Sequence, residues 1–436
     1  MRKLPARAST GAGHPGGGAV PAGLLACLRE AARATWATSR QERGGGLRTS
    51  RRVGGYVRCR VAGGGAGRRR AAGPRTTRPP AGRPRRPDGA GITHGVKLAT
   101  REETAVGDRD LVLLERVATV AAALRSEVEK RIVGQHHVVE GLLTALLANG
   151  HALLVGVPGL AKTLLISTVA DALDLDFSRI QFTPDLMPTD ITGTEVIEED
   201  RTTGHRVFRF VRGPIFANVI LADEINRTPP KTQAALLQAM QERAVTAAGD
   251  TYALDPPFFV LATQNPIEQE GTYPLPEAQL DRFMMELQIG YPTRDEEEEI
   301  AMRTTGEEAA NVHPVVAAAE LIELQQLVRR VPAPPSLVAF AVRLARATRP
   351  DDRESPSVTR EYVSWGAGPR ASQFLVLGAK ARAAARGDAI PGYADVKAVA
   401  PAVLAHRVVL GFEAEADGRS TRDIVAELLQ ESEGWI

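Results

Sequence analysis

A short apolar run, a glycine-containing loop and an apolar helix pattern follow one another in ALLVGVPGLAKTLLISTVA, residues 152–170. A buried strand that turns through such a loop into a helix is the context of a phosphate-binding loop, where backbone N–H groups and the helix N-terminus surround phosphate oxygens. The motif requires Gly, four residues, Gly, Lys and then Ser or Thr, and Ala161 replaces the second Gly here. The segment therefore favours an α/β fold with a nucleotide site, provided that Ala161 is a permitted variation.

Each position of the loop has an expected role. Gly159 is expected to take the positive φ that glycine adopts at little cost. Ala161 is expected in the first helical turn with negative φ, where alanine is preferred to glycine. Lys162 would contact the β- and γ-phosphates of a nucleotide, and Thr163 would ligate Mg²⁺. The residues predicted to contact the nucleotide at this loop are Gly156, Val157, Pro158, Gly159, Leu160, Ala161, Lys162 and Thr163.

Acidic and amide side chains follow two further apolar runs. VILADEIN leads into Asp223 and Glu224, and FFVLATQNP leads into Asn265. Ligands of open α/β sheets bind outside the carboxyl ends of the strands. We therefore expect Asp223 to orient hydrated Mg²⁺ and Glu224 to polarise the attacking water. Asn265 would hold that water or the γ-phosphate, provided that the two strands are neighbours.

Strand and helix patterns divide the chain into parts. Helical periodicity covers 110–132 and 133–150, and short apolar runs then alternate with helices up to about residue 292. Such alternation predicts a parallel sheet covered by helices on both faces. Only helical periodicity remains afterwards. We therefore predict an α/β nucleotide-binding domain over 100–292, followed by a small all-helical lid domain over 293–436.

Residues 1–95 differ in composition from the rest of the chain. They contain 20 Lys and Arg but 3 Asp and Glu, whereas the whole chain has 54 and 52. Gly, Ala, Arg and Pro dominate, so that little apolar surface is available to offset the ordering entropy, and we expect a disordered extension. A nucleic-acid-binding tail, a transit peptide, a lipoprotein signal and a start codon assigned too far upstream remain alternatives for this segment.

The remaining charge is acidic, since residues 96–436 have 34 Lys and Arg against 49 Asp and Glu. This balance argues against nucleic-acid binding by the folded part. Both cysteines, Cys27 and Cys59, lie in the extension, so the folded part offers neither a disulfide framework nor a thiolate metal site. No apolar run reaches the roughly 18 residues of a membrane helix. We expect a cytoplasmic protein with no membrane contact and no specific nucleic-acid partner.

Five motifs occur in order along the chain: GVPGLAKT, LADEINR, ATQNP, LPEAQLDRF and GAGPRA. In this order and spacing they resemble the MoxR family of AAA+ ATPases, over about residues 100–432. The family pattern includes the alanine found at position 161. The resemblance implies an AAA+ fold with a helical lid and an ATPase activity that requires ATP and Mg²⁺. It also implies a homo-oligomeric ring, expected to be a hexamer, with ATP bound between subunits.

The resemblance also assigns three residues that patterns alone leave as ordinary side chains. Arg282 would be the arginine finger that acts on the ATP of the neighbouring subunit. Arg370 would be a sensor in the lid that acts on the ATP of its own subunit. Gln135, ahead of the first strand, matches the segment beside the adenine. One departure from the family pattern is Gly368, where a serine is expected before Pro369.

The family further implies two hairpins that act on protein clients. Residues 192–216 fit an insertion into the second helix, with DRTTGH as the turn between alternating strands. Residues 244–257 fit a hairpin ahead of the strand that leads to Asn265. The implied function is an ATP-driven chaperone that matures enzyme complexes, including metal-cofactor enzymes, often with a partner that contains a von Willebrand factor A domain.

Three other functions remain open on the sequence. The ATPase subunit of a magnesium chelatase has similar hairpin insertions, but its loop ends in Gly-Lys-Ser-Thr rather than the Ala-Lys-Thr found here. A nucleotide-gated scaffold without hydrolysis is disfavoured because both carboxylates, Asp223 and Glu224, are present. A DNA-remodelling motor is disfavoured because the folded part is acidic and would repel the phosphate backbone.

Overall fold

The computed structural model describes residues 108–199, 206–247, 249–267, 271–306 and 310–435. The predicted disordered extension, residues 1–95, lies outside these residues, and so does the predicted DRTTGH turn. The described residues belong to one compact unit of the chain. Within them, no helix is both long and apolar enough to cross a bilayer.

Two helices precede the sheet, α1 (Asp108–Glu129) and α2 (His136–Leu147). Both confirm the helices predicted from periodicity, but α2 is shorter at each end than its apolar pattern. Gln135 has φ 54° just ahead of it, and Asn149 has φ 55° just after it. Residues in the left-handed region cannot continue a right-handed helix, so these two positions limit α2.

The strands of the α/β part are β1 (Ala152–Val155), β2 (Phe177–Gln181), β3 (Gly193–Glu199), β4 (Arg206–Arg212), β5 (Val219–Asp223), β6 (Ala244–Ala247), β7 (Asp250–Ala253), β8 (Phe259–Gln264) and β9 (Met285–Gln288). Five of them form a parallel sheet in the order β2-β5-β8-β1-β9. The apolar runs at β1, β5 and β8 and the segment FSRIQF at β2 predict four of these five. The sequence patterns do not reveal β9, because its four residues, MELQ, include Glu286 and Gln288 and so do not form an apolar run like that of β1.

Successive residues of the strands pack on opposite faces of the sheet. Leu221 and Leu261 lie in the core on one face, together with residues of α1, α2 and α3 (Lys162–Leu173). Ile220 and Val260 lie in the core on the other face, with the short α4 (Pro188–Thr192) and with α5 (Pro230–Glu242). The prediction of a parallel sheet covered by helices on both faces is therefore confirmed.

Two antiparallel hairpins occur where the sequence predicts them. β3 pairs with β4, and β6 pairs with β7. The first hairpin interrupts the helical segment that follows β2, which consists only of α4 and a 3₁₀ turn at Pro214–Phe216. Aromatic rings join the two hairpins, since Phe210 of β4 stacks on Tyr252 of β7 with ring centroids 4.5 Å apart.

The rest of the chain is mainly helical. Its helices are α6 (Glu277–Leu280), α7 (Arg294–Thr304), α8 (Ala318–Arg330), α9 (Pro335–Ala347), α10 (Ser357–Tyr362), α11 (Pro369–Ala385), α12 (Tyr393–Leu404), α13 (Phe412–Ala416) and α14 (Thr421–Glu431). The lid also contains an antiparallel pair, β10 (Val363–Trp365) with β11 (Val409–Leu410), which is too short for the sequence to indicate. Leu375 of α11 and Val399 of α12 share one core with Leu287 of β9, so the lid packs on that edge of the sheet.

Candidate functional site

The loop between β1 and α3 has the expected conformation at Gly159 but not at Ala161. Gly159 has φ 85°, and nothing lies within 4 Å of the position that a Cβ would take. Ala161 has φ 53° and is the N-cap of α3, so the expectation of a negative φ is wrong. Helix propensity applies only inside a helix, and Ala161 lies one residue outside it. The left-handed conformation costs alanine about 1 kcal/mol, which glycine would avoid.

Lys162 is the first residue of α3, and its side chain folds back over the loop. The ammonium Nζ donates to the backbone oxygen of Gly156 and lies 3.3 Å from that of Val157. Thr163 follows it in the first turn of α3 and is half-buried. A helix N-terminus offers unpaired N–H groups and a partial positive charge to an anion, and Lys162 adds a full charge. The loop therefore has the chemistry of a polyphosphate site.

A cavity of about 380 Å³ lies beside the loop. Loop residues line it on one side, and apolar side chains such as Ile132 and Ile289 line it on the other. Gln135 also lines it, and its Nε2 donates to the backbone oxygen of Gly290 at 2.8 Å. Its Oε1 is buried without a partner in the part of the chain that the structure describes. The cavity thus combines apolar and charged side chains, and the unused acceptor of Gln135 is buried beside it.

β5 ends at the acidic pair. Asp223 is 7% exposed and closes a strand in which all five residues are buried. Thr263 of β8 bridges the pair, because its Oγ1 donates to Asp223 Oδ1 at 2.7 Å and accepts from the backbone N–H of Glu224 at 2.8 Å. Glu224 itself has φ 56°, so the chain turns at this residue as it leaves the sheet. The acidic pair is therefore fixed to the neighbouring strand.

Asn265 follows the last residue of β8, and β8 pairs directly with β5. The condition on which its expected role depends, that the two strands are neighbours, is met. Asn265 is buried, and its Oδ1 accepts from the backbone N–H of Ile267 at 3.1 Å. Among the described residues its Nδ2 has no partner. A backbone N–H can only donate, so the atom that it contacts must be the amide oxygen of Asn265. The amide nitrogen, Nδ2, is therefore the unused group.

Side chains that the sequence analysis did not identify also contact the acidic pair. Arg179 Nη2 lies 2.6 Å from Asp223 Oδ2, and Gln181 Nε2 donates to Glu224 Oε2 at 2.9 Å. Arg227 Nε lies 3.2 Å from the same oxygen of Glu224. The sequence could have indicated two of these side chains. Arg179 and Gln181 are two residues apart in FSRIQ and therefore share a face of β2.

The two predicted arginines lie close to one aspartate. Arg282 follows α6 and is half-buried, and its guanidinium makes no hydrogen bond or ion pair with a described residue. Arg370, the second residue of α11, has Nη1 3.1 Å from Oδ2 of Asp281, the residue before Arg282. Gly368 is the N-cap of α11 and gives no side-chain cap, as expected from glycine at this position. Arg370 is absent from the described lining of the loop cavity.

A third arginine, Arg407, was not identified from the sequence. It is buried and donates to the Asp281 carboxylate, and also to the backbone oxygens of Asp281 and Phe283, at 2.8, 2.9 and 2.6 Å. Burial lowers the pKa of Arg407 to about 10, while the Asp281 carboxylate opposes this shift. Arg407 follows α12 in the lid, so it ties the lid to the segment that carries Arg282.

Comparison with known proteins extends these observations. Residues 151–285 match the family described as ATPases associated with various cellular activities (AAA), and residues 356–428 match the AAA lid domain. A solved structure of a protein assigned as an ATPase, from Cytophaga hutchinsonii, matches with a TM-score of 0.68 at 42% identity. That match covers 73% of this chain and 96% of the solved chain.

Curated relatives cover the same region. The chain is 44% identical over 304 residues to Chaperone MoxR1 of Mycobacterium tuberculosis, across 70% of this chain and 79% of the relative. It is 33% identical over 306 residues to Protein MoxR of Methylorubrum extorquens, across 66% of this chain and 88% of the relative. The five sequence motifs agree with these relatives, with the matched AAA and lid domains and with the observed fold. The chain belongs to the MoxR family of AAA+ ATPases.

Proposed function

We propose that the protein hydrolyses ATP as a homo-oligomeric ring, expected to be a hexamer, and uses hydrolysis to remodel or mature client protein complexes. The observation that carries the proposal is the convergence of Asp223, Glu224 and Asn265 at the carboxyl ends of two paired strands. β8 also pairs with β1, which leads into the loop and Lys162. All these groups lie along the edge of the sheet where ligands of α/β folds bind.

The residues present fit ATP and Mg²⁺. The unused Oε1 of Gln135 can accept a hydrogen bond from the amino group of adenine, and a buried acceptor without a donor costs about 1–3 kcal/mol. The Thr163 hydroxyl and the Asp223 carboxylate are oxygen ligands of the type that Mg²⁺ prefers. When bound, Mg²⁺ offsets the negative charge of the phosphate oxygens. The loop N–H groups and Lys162 would bind the phosphates.

Glu224 is the residue that we propose activates water. Gln181 and Arg227 both contact its Oε2, which leaves Oε1 to accept the proton of a water molecule as that water attacks the γ-phosphorus in line. The unused Nδ2 of Asn265 can donate to the same water or to a γ-phosphate oxygen. Because the Asn265 amide is uncharged, it orients these groups without neutralising the Glu224 carboxylate.

Arg282 is proposed to act on the ATP of a neighbouring subunit. It has no anionic partner among the residues that the structure describes, which suits a side chain whose partner lies in another subunit. For Arg370 we revise the role that the resemblance suggests. Because Arg370 contacts Asp281, next to Arg282, we propose that it acts with Arg282 on the neighbouring subunit.

The first hairpin is proposed to contact the client. Ile197 of β3 and Phe208 of β4 lie opposite each other, and they are 59% and 66% exposed. This pair gives the hairpin an apolar surface that a protein partner could cover. The client is proposed to be an enzyme complex in the cytoplasm, including complexes with metal cofactors, and a protein with a von Willebrand factor A domain is the expected partner.

The experiment that tests this proposal combines turnover with capture of the client. Glu224→Gln is expected to bind ATP but to lose hydrolysis, and therefore to retain its client during purification from the native host. Lys162→Ala, which should not bind ATP, is the matched control. Mass spectrometry of what co-purifies with Glu224→Gln alone identifies the client. A von Willebrand-type protein or an oxidoreductase subunit supports the proposal, whereas a magnesium-chelatase large subunit would contradict the proposed client class.

A further inference from the structure

Arg179 of β2 holds the carboxylate that is proposed to orient Mg²⁺. Its Nη2 and Nε lie 2.6 Å and 3.1 Å from Asp223 Oδ2. The other carboxylate oxygen, Oδ1, accepts from the hydroxyl of Thr263 at 2.7 Å. Each oxygen of Asp223 therefore already has a donor, and a full positive charge lies beside Oδ2.

The two partners differ in how easily each can leave the contact. The side chain of Arg179 is 49% exposed, whereas that of Asp223 is 10% exposed. A buried carboxylate without a cation pays a large desolvation penalty, while a half-exposed guanidinium regains water when it moves away. Asp223 is also the last residue of a buried strand and is held by Thr263. The movable partner is therefore Arg179.

A second contact determines where Arg179 remains after it leaves Asp223. Its Nη2 also donates to Gln181 Oε1 at 2.7 Å, two residues further along β2. Gln181 in turn donates from Nε2 to Glu224 at 2.9 Å. A guanidinium released by Asp223 thus stays attached to the amide that contacts the proposed water-activating carboxylate.

We propose that Arg179 is a positioning residue that competes with Mg²⁺ for Asp223, so that the metal enters together with ATP rather than alone. The inference rests on the proposed nucleotide site. Arg179 already makes two hydrogen bonds to Oδ2, and a divalent cation beside it would place three positive charges next to one carboxylate charge. Without nucleotide, Arg179 rather than the metal binds Asp223, because the pairing of β2 with β5 keeps Arg179 beside that carboxylate. The phosphates of ATP supply the additional negative charge that favours the metal.

The test measures binding of Mn²⁺, an EPR-visible substitute for Mg²⁺, to the full chain with and without the ATP analogue AMP-PNP. Arg179→Gln removes the charge, and Arg179→Lys keeps it. Arg346→Gln is the matched control, because Arg346 Nη2 lies 2.6 Å from Asp352 Oδ2 and the two side chains are 52% and 9% exposed. This control removes a comparable ion pair in the lid.

Without nucleotide, Arg179→Gln is expected to bind Mn²⁺ about tenfold more tightly than the unchanged protein, whereas Arg179→Lys and Arg346→Gln stay within about threefold of it. With AMP-PNP, all four proteins are expected to agree within about threefold. Equal nucleotide-free affinities of Arg179→Gln and the unchanged protein would overturn the inference. Failure of the unchanged protein to bind AMP-PNP would overturn the proposed function instead, because the nucleotide-free comparison does not depend on it.

Discussion

Arg407 donates two hydrogen bonds to Asp281, a residue 126 positions earlier in the chain, one to its carboxylate at 2.8 Å and one to its backbone oxygen at 2.9 Å. The side chain of Arg407 is 2% exposed. Because Asp281 precedes Arg282, this buried lid residue fixes the base of the proposed arginine finger. The same carboxylate also binds Arg370, so one aspartate contacts two arginines and directly precedes a third.

Asp281→Asn is expected to lower the free energy of unfolding by about 1–3 kcal/mol, because Arg407 then remains buried beside an uncharged group. ATP hydrolysis should fall as well, while ATP binding persists. Urea denaturation and nucleotide binding to the purified variant measure these effects. Asp351→Asn, at an exposed aspartate of the lid, is the control and should change stability by less than about 0.5 kcal/mol. An Asp281→Asn protein as stable as this control would show that the pair is not important for stability.

Lys162→Ala and Arg282→Ala should lose activity for different reasons. The first is expected to abolish ATP binding, since the loop loses its full positive charge. The second should bind ATP normally but hydrolyse it at least about a thousandfold more slowly, which is the effect of removing an arginine finger. Binding of a fluorescent ATP analogue and release of phosphate separate the two defects.

Mixing these two variants tests whether Arg282 acts between subunits. A mixed ring contains sites in which an intact loop meets an intact Arg282 from the neighbour, so partial activity should return. Neither variant alone should show it. A mixture that forms oligomers but stays inactive would indicate that Arg282 acts within its own subunit or has no catalytic role.

Ala161 provides a test of the loop conformation. Ala161→Gly relieves the left-handed strain but adds freedom to the unfolded chain, so the free energy of unfolding should change by less than about 1 kcal/mol. Ala161→Val should destabilise the protein and weaken ATP binding, because a β-branched side chain is poorly tolerated at positive φ. Thermal unfolding and nucleotide binding of both variants give the comparison. Equal behaviour of the two would mean that φ at this position is not positive in solution.

His151 makes stability depend on pH. Burial lowers its pKa from the ordinary 6.5 to about 3, and Arg243 contributes to the shift. Its Nδ1 accepts from the backbone N–H of Val260 at 3.0 Å, which requires a neutral ring. Between these two pKa values the unfolded state binds a proton that the folded state does not. The contribution of His151 to stability is therefore lost as the pH falls, by up to about 1.4 kcal/mol per pH unit.

His151→Gln should reduce this pH dependence, and urea unfolding at several pH values between 7.5 and 4 measures it. The expected difference in slope is about one proton. His313→Gln makes the same substitution at an exposed histidine and is the control for the loss of an imidazole. A slope of His151→Gln equal to that of the unchanged protein would contradict burial of a neutral His151.

The sequence predicts the parts of the site that local chemistry determines. Asp223 and Asn265 follow buried apolar runs, so their positions at the sheet edge follow from strand burial. The positive φ of Ala161 could not be predicted. The helix propensity of alanine does not indicate whether Ala161 is the first residue of the helix or, as observed, the N-cap before it. The position of Arg179 near the site could have been predicted, because Arg179 and Gln181 alternate along β2 and share a face of the strand. Arg407 was not, since its partner lies in a segment that only the folded lid brings near it.

The aromatic stack between the hairpins has a mechanical consequence. The first hairpin continues through Phe216 into the strand that ends at the acidic pair, and the second continues into the strand that leads to Asn265. Phe216 packs edge-on against both Phe210 and Tyr252, with centroids 6.0 and 6.3 Å apart. A force applied to either hairpin is therefore transmitted to the other through these three rings before it reaches the sheet. A client bound to either hairpin would therefore act on two strands at once. One strand ends at Asp223, and the other leads to Asn265.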